Sequence, residues 1–384
     1  MESNIIIASS LLDVKEDELR EFETTDVFND DHRITGFICH RADHRYGALV
    51  IFSVNDWQCE QVIYATPKLH YPFDKNGEYH WPECKDVKYY EKLDGTNILA
   101  FHYDYQGTDL VTFKTRLTPI VKDMGYGMFE SMLREYISDH PWFYRSIELN
   151  PLMNLSFELF GSRNPITVKY SIPLAMCLLF GVRRTDAAVR PPSELRLPID
   201  AMLPFFAYSG DGGDHTAIYN GFRAQMSERN GKGHDESFVT EGMVMYANTG
   251  EPSWRMFKCK PEEIEKIHWA ASGSIPRIAL MTTALNVFED KESPSLDDFI
   301  ELLKEEYPQS MIDKATIKIS KAWDAAKAQI YVTKNVNEVW KLAKQNGLDV
   351  TKDKAATMRF MSQYFEKNMM RKVGSIVLRQ AGLI

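Results

Sequence analysis

The sequence predicts an α+β protein, with antiparallel sheets flanked by helices over residues 1–261 and an all-α domain over residues 262–384. Three observations predict it. Short runs rich in β-branched and aromatic residues, broken by polar turns such as Asn55-Asp56, recur from residue 33 to 114 and again from 154 to 258. Met128, Phe129, Met132, Leu133 and Tyr136 stand at helical spacing and give a helix to pack on those strands. Beyond Pro261 the strand signals stop and helical ones take over.

Taken in order, residues 34–39, 47–53 and 61–65 read as a small antiparallel sheet, and 88–103 and 110–114 continue its texture. A helix is expected over 125–137, then buried strands over 154–160 and 174–182. Residues 183–198, 209–214 and 230–235 have the charge, proline and glycine content of loops, with a surface helix over 215–229 between the last two. Residues 238–247 and 254–258 form a hairpin around 248–253. In the tail, 263–267 opens a helix, Ser295-Leu296-Asp297-Asp298 has the form of a capped start, and 317–330, 355–371 and 373–383 are amphipathic.

Composition narrows the function classes. At 384 residues and 44% hydrophobic, the chain can build one large core or two ordinary ones. The five cysteines are scattered and hold no CxxC pair, which argues against a disulfide framework and a structural zinc site, and for a reducing, cytoplasmic setting. For a phage-encoded chain that setting is the host cytoplasm. His32, His40 and His44 do not have zinc spacing either. The amino terminus lacks the basic lead of a signal peptide, and the longest apolar run, 172–182, is too short to span a bilayer. A net charge of -9 discourages general adhesion to nucleic acid but leaves room for a basic groove built from a minority of the 45 Lys and Arg.

The chemistry gathers in four short segments. Glu91-Lys92-Leu93-Asp94-Gly95-Thr96-Asn97 sets a lysine and an aspartate two apart in a strand-like run, where they share a face if extended, with a glycine that lets a ligand approach the backbone. Alone, such a string is more often a surface turn. It is followed by Glu158 in Ser156-Phe157-Glu158-Leu159-Phe160-Gly161, Glu241 in Glu241-Gly242-Met243-Val244, and Lys258 and Lys260 in Phe257-Lys258-Cys259-Lys260. Each charge lies in or beside an apolar strand pattern, where burial is costly unless it is paired or bound to a ligand. Alternation turning any one of them to solvent is the simpler account, but it does not explain four segments together.

In this order the segments resemble the nucleotidyltransferase motifs of DNA ligases, RNA ligases and messenger RNA capping enzymes, over about residues 88 to 261. The resemblance implies a nucleotidyltransferase domain of ATP-grasp-like fold and a nucleophilic Lys92 that takes AMP from ATP through a phosphoramidate bond. It further implies that Asp94, Glu158 and Glu241 hold Mg2+ or Mn2+, through water, and that Lys258 and Lys260 offset phosphate charge. Glu91, Asn97, Arg116, Glu158 and Phe180 would join Lys92 and the two late lysines in binding the nucleotide. Glu91 would read the adenine edge and Phe180 would stack on the base, although Phe180 reads equally well as a core aromatic. Arg116 and Lys114 are candidates to position phosphates; a surface ion pair is the plainer reading of Arg116.

Among these families the chain is most similar to the phage-type ATP-dependent RNA ligases. The Glu91 to Asn97 form matches their first motif, Gly36-Phe37-Ile38 and residues 65–73 are similar to their preceding strands, and no β-barrel signal follows Lys260. The implied partner is RNA with 5′-phosphate and 3′-hydroxyl ends, in RNA repair, with the helical tail governing substrate choice; no membrane is involved and no protein partner is indicated. A DNA ligase, or a binding protein that keeps the fold without catalysis, are the alternatives.

Overall fold

The computed structural model describes residues 4–74, 77–124, 127–164, 168–211, 213–231, 240–250, 254–261, 275, 277–290, 294–307 and 309–383. Three antiparallel sheets make up its β-rich part. The first is β1 (Leu19–Asp26), β2 (His32–Cys39), β3 (Leu49–Val54) and β4 (Trp57–Ile63), in that order. Between it and the next sheet strand, β5 (Val87–Lys92) belongs elsewhere. The second sheet is ordered β12-β11-β10-β6-β7, from β6 (Thr96–Tyr105), β7 (Thr108–Lys114), β10 (Met153–Phe160), β11 (Ala175–Arg183) and the short β12 (Val189–Arg190). The third is ordered β13-β5-β14-β15, with β13 (Phe206–Gly210), β14 (Gly242–Asn248) and β15 (Trp254–Cys259). A two-stranded ribbon, β8 (Asp123–Met124) with β9 (Gly127–Met128), leads into the helices α2 (Phe129–Asp139) and α3 (Trp142–Leu149).

Strand alternation explains the layering. In β10, Leu155, Phe157 and Leu159 point to one face and pack with Leu133, Tyr136, Trp142 and Phe143 of α2 and α3. Ser156 and Glu158 then belong to the opposite face, which meets the third sheet. That junction is apolar: Phe180 and Val182 of β11 pack with Tyr90 of β5, Tyr246 of β14 and Trp254 and Met256 of β15. The far side of the third sheet is closed by α4 (His215–Gly231), through Tyr219 and Met226 against Tyr89, Met243 and Met245. Leu99, Phe101 and Tyr103 of β6 pack with Ile34, Leu49 and Ile51 of the first sheet, whose other side is covered by α1 (Asn4–Leu12).

The first and second sheets are also joined by a buried carboxylate. Asp26, wholly inaccessible, accepts hydrogen bonds from Tyr103 Oη at 2.9 Å, Thr112 Oγ1 at 2.6 Å, Asn29 Nδ2 at 2.8 Å and the Phe28 amide at 3.1 Å. Four donors make that burial tolerable.

From Arg277 onward the described residues with regular structure are helical: α5 (Arg277–Asp290), α6 (Leu296–Glu306), α7 (Gln309–Gln345), α8 (Lys354–Met361) and α9 (Met370–Gln380). α6 begins with the expected cap, the Asp298 amide donating to Ser295 Oγ at 3.2 Å and the Ser295 amide to Asp298 Oδ2 at 2.8 Å. α5 and α6 pack on the first half of α7 around Phe288, Phe299 and Trp323. The second half of α7 packs with α8 and α9 around Trp340, Met361 and Val377, together with Met128 of β9. Lys341 of α7 pairs with Asp123 of β8 at 3.0 Å, a second contact between the late helices and the β-rich part.

Several expectations are corrected. Residues 88–103 are not one run, because β5 and β6 lie in different sheets. Residues 209–214 are in part strand, β13 ending at Gly210, since its backbone pairs with β5. Residues 355–371 do not form one helix: α8 caps at Ser362, and Ser362, Gln363 and Tyr364 turn outward before Glu366 takes an extended backbone (ψ 149°). β1 and α3 were not expected. The predicted segment 263–267 lies outside the described residues, as do much of 230–235 and the turn at 251–253.

Asp26→Ala should lower the free energy of unfolding by at least ~2 kcal/mol, because each buried donor left without a partner costs about 1–3 kcal/mol. Chemical denaturation followed by tryptophan fluorescence checks this.

Candidate active site

The chain passes from the third sheet to the second through Leu93-Asp94-Gly95. Lys92 ends β5, opposite Gly242, while Asn97 lies in β6, opposite Glu158. The sequence reading set Lys92 and Asp94 in one strand; instead Asp94 sits in the crossover. Gly95 is why the crossover is tight: a Cβ there would fall 2.3 Å from the Leu159 carbonyl oxygen. Asp94 is buried, its amide donating to Tyr170 Oη at 2.8 Å and its Oδ2 accepting from the Val168 amide at 2.6 Å. Tyr170 and Val168 lie in an irregular segment with no pattern that marks them, and sequence reasoning missed both.

Lys92 Nζ donates to Glu241 Oε2 at 2.5 Å, and Lys260 Nζ stands 3.4 Å from Glu241 Oε1. One carboxylate therefore joins two of the predicted lysines, with the Lys92 and Glu241 side chains only 21% and 12% exposed. The next residue, Gly242, has φ +158°, and a Cβ there would lie 2.5 Å from the Cys259 carbonyl oxygen. Glycine alone fits this close approach of β14 to β15, which brings Glu241 and Lys260 together.

Charge on the two glutamates is divided unequally. Burial pushes the Glu158 carboxyl up to about 7, with Glu241 and Asp94 adding to the rise and Lys92 and Arg116 opposing it. Burial also pushes Glu241 upward, but Lys92 and Lys260 outweigh it and hold that carboxyl below its ordinary range. Glu91 is raised by burial, with Arg229 partly offsetting the rise.

Asp94, Glu158 and Glu241 do not meet the spacing for direct ligation of one ion: among the described residues, Asp74, Glu78 and His80 are the set whose ligand atoms all lie within 4.8 Å of one another. Hard oxygen donors that repel one another, one of them held at about 7, fit a cation bound through its water shell.

Lys258 Nζ lies over the Tyr71 ring at 4.3 Å from its centroid, a contact the sequence reading missed although it had singled out residues 65–73. Arg116 follows β7 and approaches the Tyr46 ring at 5.9 Å. Asn97 uses its amide within the protein, donating to Ser156 Oγ at 2.9 Å and the Phe157 carbonyl at 3.1 Å and accepting from Thr66 Oγ1 at 2.8 Å. Phe180 is buried at 4% exposure in the layer between the sheets, its centroid 6.5 Å from that of Tyr246, which is the core role weighed against stacking. Lys114 is corrected: it is wholly buried and donates to the carbonyls of Thr115 and Arg116 at 2.8 and 2.9 Å, so it braces the turn that carries Arg116. His32 hydrogen-bonds Tyr103 Oη at 3.2 Å and joins no metal cluster among the described residues.

No protein-family model and no curated protein matches the sequence. Among solved structures the chain is similar to an archaeal ATP-dependent RNA ligase, with TM-score 0.48, 12% identity and 82% of each chain covered. An Aquifex aeolicus protein provisionally described as an ATP-dependent DNA ligase gives TM-score 0.45 and 13% identity over 95% of this chain and 89% of that one. A Naegleria gruberi RNA ligase mutant with ATP and Mn gives 0.30 and 14%, over 47% of this chain and 51% of that one.

The Glu158 shift has a measurable sign. Its carboxyl is protonated in both folded and unfolded chains below 4.5; between 4.5 and about 7 the unfolded chain ionises and the folded one does not. Its contribution to stability is thus complete below 4.5 and is lost as pH rises through about 7. Relative to Glu158→Gln, the wild-type melting temperature should fall across this window in metal-free buffer. Parallel curves for the two proteins would contradict the shift.

Proposed function

We propose that this chain is an ATP-dependent polynucleotide ligase acting on RNA, with Lys92 as the residue that carries AMP. The observation that supports it is the Lys92–Glu241–Lys260 cluster in the cleft between two sheets, beside Glu158 and Asp94. A nucleophilic amine needs cations and carboxylates around it for phosphoryl chemistry; a module that only binds nucleotide does not need a reactive lysine there.

In the first step the free amine of Lys92 attacks the α-phosphorus of ATP. The N–P bond forms, the bond to the bridging oxygen breaks and pyrophosphate leaves. The proton shed by Nζ has Glu241 as the acceptor already hydrogen-bonded to it. Lys258 and Lys260 offset negative charge on the phosphate oxygens as it develops. In the second step an oxygen of the RNA 5′-phosphate attacks the same phosphorus, the P–N bond breaks and Lys92 regains its proton. In the third, a 3′-hydroxyl attacks the activated 5′-phosphate, a phosphodiester forms, and AMP and the hydroxyl proton leave. Arg116 is assigned to position the incoming phosphate. Asp94, Glu158 and Glu241 would hold a magnesium or manganese ion through water, which when bound supplies charge neutralisation at the phosphates. Glu91 is assigned to the adenine edge. Residues 1–261 form the adenylyltransferase domain in this reading, and 262–384 select the substrate.

Wild-type protein given ATP labelled on the α-phosphate and a divalent ion should retain label on a denaturing gel, and Lys92→Ala should retain none. Given RNA already carrying AMP on its 5′-phosphate, Lys92→Ala should still seal, because the third step does not use the amine. Equal labelling of both proteins would overturn the assignment, and faster sealing of all-DNA strands than of RNA would overturn the choice of substrate.

A further inference from the structure

Charge is distributed very unevenly along this chain. Residues 309–384 hold 14 Lys and Arg against 6 Asp and Glu, a surplus of eight, although the whole chain is at -9. Residues 1–308 then hold 31 Lys and Arg against 48 Asp and Glu, a deficit of 17. A polyanion approaching the cleft meets repulsion from most of the molecule and attraction from the late helices.

The attraction has a definite location on α7. One side of this helix is committed to the core through Ala322, Trp323 and Ala326. The outward side shows two large apolar residues, Ile317 at 73% and Tyr331 at 66% exposure. Fourteen positions apart, they are separated by close to four helical turns and share a face, about 21 Å from one another along the axis. Lys318 and Lys321 lie to one side of that line and Lys327 and Lys334 to the other, all exposed and none in an ion pair among the described residues. Asp324 is the acidic residue between them; over its full length α7 carries seven lysines and three acids.

Unpaired lysines flanking an exposed aromatic ring suit a strand whose phosphates bind cations and whose bases are free to stack. The interior of a duplex, its bases already stacked on one another, would leave Tyr331 without a base face. We propose that the outward face of α7 docks single-stranded polynucleotide, with phosphates on Lys318, Lys321 and Lys327 and a base on Tyr331. The nature of the partner rests on the ligase reading above; the surface itself rests on charge and exposure.

The test measures fluorescence anisotropy of labelled single-stranded RNA, and of DNA of the same sequence, with the full chain over a range of salt. Replacing Lys318, Lys321 and Lys327 together by Ala should weaken binding at least about tenfold at low salt and make the log–log salt slope shallower by roughly 2, at about 0.7 per lost contact. Tyr331→Ala should weaken binding about tenfold with the slope kept. A stronger effect on RNA than on DNA assigns the strand to RNA; equal effects leave it a general single-strand surface. Unchanged affinity and slope in both variants would overturn the proposal, as would loss of binding to phosphatidylserine vesicles alone. Covalent AMP labelling of the same variants separates the two readings. No label with lysine-dependent RNA binding sinks the ligase and keeps the surface, whereas normal label with unaltered RNA binding does the reverse.

Discussion

The passage of the chain from one sheet to the other between Lys92 and Asn97 is the constraint on which the rest depends. Lys92 is fixed by its pairing in β5 and Thr96 by its pairing in β6, so the three residues between them must turn in very little space. Gly95 permits this by lying against the Leu159 carbonyl, and Gly242 permits the matching approach of β14 to β15. Side-chain charges that would be scattered along four strands are thereby brought into one cleft. The apolar layer of Tyr90, Phe180, Tyr246 and Trp254 holds the two sheets together behind it.

Burying so many charges is tolerable because they divide the work of neutralising one another. Glu241 lies between two lysines and stays ionised, whereas Glu158 is held at about 7 by burial and by its acidic neighbours. The cleft thus presents cationic groups suited to phosphate and carboxylates suited to a hydrated ion. The same logic extends outward. A β-rich part with a large acidic excess relies on a few cleft lysines for local attraction, and the late helices carry the surplus of positive charge.

Much of this was legible in the sequence, for physical reasons. The strands of the second and third sheets are buried on both faces or alternate cleanly, so 154–160, 174–182 and the hairpin could be read directly, as could the Ser295 cap. Lys92, Glu241 and Lys260 were legible because charges interrupt apolar strands. What sequence could not give was which strands share a sheet. Residues 88–103 have one texture, yet the break at Leu93-Asp94-Gly95 sends them to two sheets, a fact fixed by long-range pairing. The internal hydrogen bonds of buried Lys114 and half-buried Asn97 were hidden for a similar reason, since their partners come from turns and from a neighbouring strand. Tyr170 supports Asp94 from a segment without periodicity, where no local signal exists.

The most direct test of the central claim is the intact mass of the protein after incubation with ATP and a divalent ion, followed by peptide mapping of any adduct. A gain of a single AMP is expected, carried by Lys92 Nζ and removed by added pyrophosphate. An unchanged mass, or AMP mapped to another residue with Lys92 unmodified, would contradict it.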